Sequence, residues 1–223
     1  AATRQRPPVA VTAPAGQKAD ALTAALALAL VDAGFVVVGN RTLAPITVTA
    51  ATTSSGGGRV EVVAESVSLA TAFTVEAGPF PVVRLEAEAQ SLAAVLAASR
   101  QIPASNAGVP AIVLDVTDVR DGQDREQVRR VSALRVLRAG YALRASRSPA
   151  SVLVCVRLRQ DDAIVGAAPP GATACSRGKR RDRGTEAGGP QWLSDVAALV
   201  QDRADSALAG PDDFDLGQSQ TTV

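Results

Sequence analysis

The stretch Val-Ala-Val-Thr-Ala-Pro-Ala-Gly, residues 9–16, opens the part of the sequence that decides the fold. An apolar strand at its start runs into a turn of proline and glycine, and an alanine and leucine pattern of helical period follows to residue 32. Gly34 stands where a helix ends, because glycine adopts the left-handed conformation that closes the last turn. The apolar run Phe35–Val38 predicts a parallel strand covered by helices on both faces.

The turn between this strand and this helix has the character of a phosphate site. Gly16 and Lys18 lie in it, at the start of the predicted helix. Backbone N–H groups and the helix dipole favour an anion at such a position. A strand, a glycine turn and a helix in this order form the first half of a dinucleotide-binding fold. We therefore predict an α/β protein with a Rossmann-type, doubly wound parallel sheet.

Composition narrows the possible functions. Aromatic residues make up only 3% of the 223 residues, so the core must consist of alanine, valine and leucine. The net charge of +1 predicts no strong attraction to nucleic acid or to an anionic membrane. Because the chain contains no histidine, histidine-dependent hydrolysis and histidine-ligated metal sites are excluded, and we predict no metal site. The longest uncharged apolar run, Ala21–Val31, is too short to cross a membrane.

Two cysteines leave the compartment open. Cys155 lies in the apolar run Ser151–Leu158, where a free thiol behaves as a small hydrophobic side chain. The rest of the chain is typical of an intracellular α/β protein, so we expect Cys155 and Cys175 to be free thiols in a cytoplasmic protein. A disulfide between them would instead favour an α+β scaffold of the cell envelope that binds no nucleotide.

The remaining elements follow along the chain. Residues 43–84 predict a β-hairpin, formed by Ile46–Ala51 and Arg59–Ala64, with a possible third strand at Val67–Val75. The pattern leaves open whether this hairpin is an insertion on the sheet edge or a separate small sheet. Further periodic segments predict strands at Val82–Leu85, Ala111–Asp118 and Ser151–Leu158, and helices at Glu86–Arg100, Arg125–Arg144 and Gln191–Leu208.

The carboxyl-terminal part carries the last predictions. Arg177–Arg183 is a basic run without aromatic residues, which favours a flexible, solvated loop over a nucleic-acid site. Trp192 follows the helix start at Pro190, and we expect it to anchor that helix to the sheet. We assign residues 1–210 to a single domain and residues 211–223 to a disordered tail.

Three stretches together resemble the pieces of a known enzyme family. The first is Val9–Ala13 with the helix and strand around Gly34, the second is residues 86–96 followed by Leu114–Asp118, and the third is Ser151–Val156. In order and character they resemble the amino-terminal half of a short-chain dehydrogenase/reductase, and within that family the pteridine reductases. Residues 191–200 are similar, more weakly, to the helix through which that family forms oligomers.

The resemblance implies an oxidoreductase that transfers hydride from NADPH to a small carbonyl or imine substrate, in a homo-oligomer formed through helix 191–208. In that family a basic residue after the second strand, here Arg41, reads the 2′-phosphate of NADP, and the residue at Asp115 contacts adenine. The positions it implies for cofactor binding are Thr12, Gly16, Lys18, Arg41, Thr42, Asp115, Val116 and Cys155.

The chain also departs from the family pattern. The later glycines of the family's glycine-rich loop are absent after Gly16. The catalytic Tyr-x-x-x-Lys motif is missing, because the only tyrosine, Tyr141, is followed by Ala-Leu-Arg-Ala. We therefore assign no catalytic residue, and we expect this chain alone to be inactive as a reductase. The alternative is a non-catalytic Rossmann-type protein used for binding or dimerisation.

Overall fold

The computed structural model describes residues 7–12, 19–52, 57–64, 67–76, 82–85, 109–118, 123–183 and 189–210. The strands in these residues are β1 Val9–Thr12, β2 Val37–Val38, β3 Ile46–Thr52, β4 Gly57–Ala64, β5 Val67–Glu76, β6 Val82–Leu85, β7 Ala111–Asp118, β8 Ala142–Leu143, β9 Ser151–Leu158, β10 Asp162–Ala168 and β11 Lys179–Asp182. The helices are α1 Ala19–Asp32, α2 Gln123–Arg138 and α3 Pro190–Ala209, with a short 3₁₀ helix at Arg41–Leu43.

The described strands form one mixed sheet in the order β11-β10-β9-β7-β8-β2-β1-β3-β4-β5-β6. Two groups of three parallel strands occupy its centre: β2, β1 and β3 in one group, and β8, β7 and β9 in the other. The two groups meet at β2 and β8, which are antiparallel. Antiparallel strands extend the sheet on both sides.

The three described helices pack on one face of this sheet. Val9, Val37 and Leu143 are consecutive neighbours across the strands, and all three belong to the core that contains the apolar sides of α1, α2 and α3. Because successive side chains of a strand alternate in direction, Ala10 and Val38 point to the opposite face, where they form a second, smaller cluster. The predicted α/β class is confirmed, and the architecture is compatible with a Rossmann-like fold.

The first strand–helix–strand unit is also confirmed, since β1 and β2 are parallel and α1 joins them. The predicted hairpin is present as β3 and β4, and β5 is its third strand. β3 pairs in parallel with β1, so these strands continue the main sheet rather than form a separate one. The predicted helix at 86–100 and the predicted tail at 211–223 lie outside the described residues.

The second half of the chain repeats the arrangement of the first. In each half a strand, a helix, a two-residue strand and a meander of antiparallel strands follow in the same order. The registers agree as well. Val9 lies between Val37 and Ile46, and Ala111 lies between Ala142 and Ser151, so that the two flanking residues are nine positions apart in both halves. The antiparallel pairing of β2 with β8 relates the two halves by an approximate twofold axis.

The same cap ends the first helix of each half. The Gly34 N–H donates to the Val31 carbonyl over 2.9 Å, and the next N–H, of Phe35, donates to Leu30 over 3.0 Å. In the second half, the Gly140 N–H donates to the Leu137 carbonyl over 3.1 Å, as Gly34 does to Val31. The N–H of the next residue, Tyr141, makes the bond that corresponds to the one from Phe35. Both glycines have positive φ, of 87° and 90°, which is the conformation that this cap requires.

One predicted boundary is wrong. The helix expected at Arg125–Arg144 ends at Arg138, because Gly140 caps it and turns the chain back toward the sheet. Residues 142–143 then form β8, which inserts between β7 and β2. This short strand therefore decides how the two halves of the molecule are joined.

Candidate functional site

The predicted cofactor positions fall into two separate places. The chain leaves β1 at Thr12 and leaves β2 just before Arg41, so both corners lie on the side of the sheet where β1, β2 and β3 end. The strands β7, β8 and β9 run in the opposite direction, since β8 is antiparallel to β2. The carboxyl end of β7, after Asp115, therefore lies at the opposite edge of the sheet, where β1, β2 and β3 begin. The resemblance implies one cofactor site formed by all these positions, but the antiparallel pairing of β2 with β8 keeps the described corners from lining a single crevice.

The corner after β1 is described only in part. Thr12 is the last residue of β1 and pairs with Thr49 of β3. Gly16 and Lys18 lie in the segment 13–18, outside the described residues. Their assignment to a phosphate site stays a prediction.

The corner after β2 is a compact polar turn. Arg41 and Thr42 begin the 3₁₀ helix, and both are exposed. The Asn40 side-chain oxygen accepts hydrogen bonds from the Thr42 N–H at 3.0 Å and from the Thr42 hydroxyl at 2.9 Å. The turn thus satisfies its own polar groups, and the Arg41 guanidinium extends into solvent.

The third group of predicted positions lies on β7 and β9. Asp115 is adjacent to Cys155 in the parallel register, so both side chains project from the face opposite the helices. Val116 projects from the other face and is buried in the main core. Asp115 and Val116 therefore face opposite sides of the sheet, and Asp115 is exposed in the strand rather than located at its end.

The two cysteines are bonded, so the expectation of free thiols is wrong. A disulfide joins Cys155 to Cys175, with a Cα–Cα distance of 6.3 Å. The sequence did not suggest this pairing, because the two residues are 20 positions apart and the strand β10 lies between them in the chain. The pairing depends on residues 169–178, which we call the strap, because they cross β10 on the face of the sheet opposite the described helices.

Glycines make the crossing of the strap possible. A Cβ atom on Gly166 of β10 would lie 2.5 Å from the Ser176 carbonyl oxygen, and one on Gly178 would lie 2.7 Å from backbone atoms of Val165. The Ser176 N–H donates to Ala167 of β10 over 2.9 Å. The strap is therefore packed directly on the strand, where Cys175 contacts the small apolar cluster of Val113, Leu153 and Ala168.

Arg147 holds the exposed middle of the strap. Its guanidinium donates to the carbonyl oxygens of Ala172 at 3.2 Å and Thr173 at 2.6 Å. Near the carboxyl-terminal end of the strap, Arg203 donates to the Ser176 hydroxyl at 3.1 Å. The strap is a fixed element with an exposed tip at residues 170–174.

The basic run at 177–183 is not the flexible loop that its composition predicted. Residues 179–182 form the edge strand β11, and each basic side chain from Lys179 to Arg183 contacts a carboxylate. Arg181 beside Asp195 holds the pKa of that carboxyl below its usual value, with a further hydrogen bond from Gln191. Because carboxylates of the protein neutralise these basic side chains, the side chains attract a nucleic-acid backbone only weakly. The carboxylate partners are Asp202, Asp162, Asp182, Asp195 and Asp124.

Trp192 anchors α3 to the sheet as predicted, since only 5% of its surface is exposed. The Arg183 guanidinium lies over its ring, 4.4 Å from the ring centre, and also pairs with Asp124 of α2 at 2.8 Å. This group of three side chains joins β11, α2 and α3. It is a structural contact rather than a ligand site.

Tyr141 takes part in another internal contact. Its hydroxyl donates to the Asp205 carboxylate of α3. Burial, the hydrogen bond to Asp205 and the charge of that carboxylate raise the pKa of Tyr141 to about 12. A tyrosine with a raised pKa is a poor proton donor near neutral pH. The side chain therefore fastens the end of α2 to α3.

The helix expected to mediate oligomers uses its apolar side within the protomer. Trp192, Leu193, Val196 and Val200 of α3 are buried, and they belong to the main core. The exposed positions of this helix are polar or small, including Ser194. Association through α3 stays a prediction, and it would involve a polar surface.

A scan of the chain against protein-family models finds no match, and a comparison with curated proteins finds no similar sequence. Within the described residues, no helix combines the length and the apolar composition needed to cross a bilayer. Those same residues hold no group of three or more acidic, cysteine or histidine side chains suited to a metal ion.

Proposed function

We propose that this chain is a non-catalytic α/β binding protein that works in an oxidising compartment. The observation that carries this proposal is the antiparallel pairing of β2 with β8. It separates the corner at Arg41 from the end of β7 at Asp118, whereas dinucleotide binding in an open sheet uses one crevice at the carboxyl ends of parallel strands.

The chemistry of the described side chains supports the same proposal. The only tyrosine is bound to Asp205 and has a raised pKa, and the lysine on the described part of the chain, Lys179, pairs with Asp202. Neither is placed to exchange a proton with a substrate carbonyl. That the chain is an NADP-dependent reductase stays a hypothesis, which binding and turnover of NADPH test.

The compartment is proposed from the disulfide. Disulfides persist in secreted and envelope proteins and are reduced in the cytosol. The Cys155–Cys175 bond holds the strap on the sheet, so it contributes to the folded structure rather than to a catalytic cycle. It favours an extracytoplasmic protein over the cytoplasmic one predicted from composition.

The test combines two measurements on the full chain. Millimolar NADPH should leave the melting temperature unchanged, because a ligand raises that temperature only when it binds the folded state. Alkylation of the denatured protein without reductant should add no label to either cysteine. A rise of several degrees with NADPH, or turnover of NADPH with a small carbonyl substrate, would contradict the proposal, and labelling of both cysteines would contradict the compartment.

A further inference from the structure

The two outermost strands of the described sheet differ in composition. β11 is the last strand on one side, and each of its four residues is charged. β6 is the last strand on the other side, and Arg84 is the charged residue among its four. Outermost strands carry unpaired backbone N–H and C=O groups, and charged side chains are one means by which proteins keep other strands from pairing there. The two sides of the sheet are therefore not equally protected.

The side at β11 is protected in two ways. β11 pairs with residues 162–165 of β10, and its basic side chains contact carboxylates of the protein. Past the end of this pairing the strap crosses β10, and the Ser176 N–H donates to the Ala167 carbonyl oxygen over 2.9 Å. Both the charge of the strand and the strap therefore oppose the addition of a further strand on this side.

On the other side, the short β6 leaves part of β5 uncovered. β5 pairs with β4 through residues 67–74, whereas β6 pairs only with residues 73–76. Within the described residues, no strand pairs with the side of residues 67–72 that faces away from β4. We call this side of residues 67–72 the β5 edge. Because alternate residues of an antiparallel strand direct their N–H and C=O groups outward, the β5 edge presents hydrogen-bonding groups to a further strand.

The composition of the β5 edge also suits strand pairing. Residues 67–72 are Val-Ser-Leu-Ala-Thr-Ala, without charge, proline or glycine. Valine and threonine favour extended backbone. Uncharged segments of about six residues without proline are the usual templates for pairing between chains. The β5 edge therefore lacks the charges that protect β11.

We propose that a second copy of this chain pairs with the β5 edge, so that the two molecules form a dimer with one continuous antiparallel sheet. This inference goes beyond the proposed binding function and does not depend on it. Because β6 occupies residues 73–76, the register that fits is centred on Leu69. It places Ser68 opposite Ala70 of the partner subunit, and no like charges oppose each other along residues 67–72.

A second copy meets the requirements of this edge. It brings an uncharged extended segment of the same length, and the two segments satisfy each other's backbone N–H and C=O groups. The corresponding pairing of β11 with itself would place basic side chains opposite one another, which is unfavourable. A twofold contact uses the same surface of both partners, so it closes at two copies. Assembly therefore stops at the dimer.

The first measurement is sedimentation velocity of the oxidised full chain over a series of concentrations. It should show a monomer at high dilution and a dimer as the concentration rises. The double variant Ser68→Lys/Ala70→Lys should raise the dissociation constant of the dimer about tenfold or more, because it places lysines opposite each other. Ala174→Lys/Ser194→Lys is the matched control, since it makes the same two exchanges at exposed positions of the strap and α3 and should leave the dimer unchanged.

The second measurement needs no variant. Hydrogen exchange of the wild-type protein, followed by mass spectrometry, should show slower exchange within residues 67–72 in the dimer than in the diluted monomer, and equal exchange in β11. The proposal is overturned if the full chain stays monomeric up to its solubility limit, or if it dimerises without protection of residues 67–72. Growth beyond two copies, or dissociation of the dimer by the control variant, would equally overturn it, because either result places the contact elsewhere.

Discussion

Val37 of β2 and Leu143 of β8 are direct neighbours in the only antiparallel pairing between the two groups of parallel strands in the described sheet. Both side chains are fully or almost fully buried, and both belong to the core beneath the helices. β2 and β8 have only two residues each, so few backbone hydrogen bonds join the two halves. The shared core beneath the helices therefore contributes to holding them together. This pair fixes the relative direction of the two halves and, with it, the opposite edges of the sheet at which their parallel strands end.

The first prediction concerns the disulfide. Replacement of Cys155 and Cys175 by serine should lower the free energy of unfolding by about 3 kcal/mol, since the bond closes a loop across a separation of 20 residues. Urea denaturation of the oxidised wild type and the double variant measures this difference. The reduced wild type is the control, and it should unfold like the variant. Equal stability of the oxidised and reduced wild type would show that the bond does not constrain the chain.

The second prediction concerns the crossing of the strap. Gly178→Ala should lower the free energy of unfolding by about 1–3 kcal/mol, because the added methyl group would overlap the backbone of Val165, which cannot rotate away. Thermal denaturation followed by circular dichroism measures the loss. Ala174→Ser, at an exposed position of the strap, is the control and should change stability by less than about 0.5 kcal/mol. A neutral Gly178→Ala would place the strap away from β10.

The third prediction concerns the repeated helix cap. Gly34→Ala and Gly140→Ala should each destabilise the protein by about 1–2 kcal/mol, because both glycines have a φ that is unfavourable for residues with a Cβ atom. Chemical denaturation of the two variants tests whether the caps are equivalent. The control is Ala139→Ser, at an exposed position before the second glycine. A cost confined to one of the two glycines would argue against equivalent caps.

The fourth prediction concerns the ionisation of Tyr141, which is the only tyrosine of the chain. Its absorbance should report a tyrosinate midpoint near the raised pKa of about 12, instead of the ordinary 10.0. The folded state holds this proton more tightly than the unfolded chain does. The stabilisation is therefore complete below pH 10 and is lost as the pH rises toward 12.

Two variants test this assignment. Asp205→Asn should lower the midpoint, because it removes the carboxylate charge and keeps a polar side chain of similar size. Tyr141→Phe should abolish the absorbance change and the loss of stability that accompanies it. A midpoint at 10 in the folded wild type would exclude the contact with Asp205.

The fifth prediction concerns Arg183. Arg183→Ala should lower the free energy of unfolding by about 3 kcal/mol, because it removes a nearly buried partner of Asp124 and uncovers one side of Trp192. Emission of Trp192, the single tryptophan, should shift to the red. Arg181→Ala is the control, because that half-exposed pair with Asp195 contributes less than about 1 kcal/mol. Similar losses in the two variants would contradict the buried role of Arg183.

Local patterns predicted the individual elements because they depend on neighbouring residues. The strand at Val9, the helix that ends before Gly34 and the start of α3 at Pro190 all follow from residue type and periodicity. The repeat was also present in the sequence, since Ala33-Gly34-Phe35 and Ala139-Gly140-Tyr141 both end a helix and precede a short strand. A search for such paired signals would have placed the end of α2 at Gly140 and revealed β8.

The sequence alone therefore determined the α/β class, most strand and helix positions and the lack of an intact reductase motif. These properties depend on hydrophobic periodicity and on the presence or absence of particular residue types. Only the tertiary structure decided the direction of β8 against β2, the bond between Cys155 and Cys175 and the ion pairs of β11. The physical reason is that pairing direction, disulfide formation and charge neutralisation depend on contacts between residues far apart in the chain, which local periodicity does not encode.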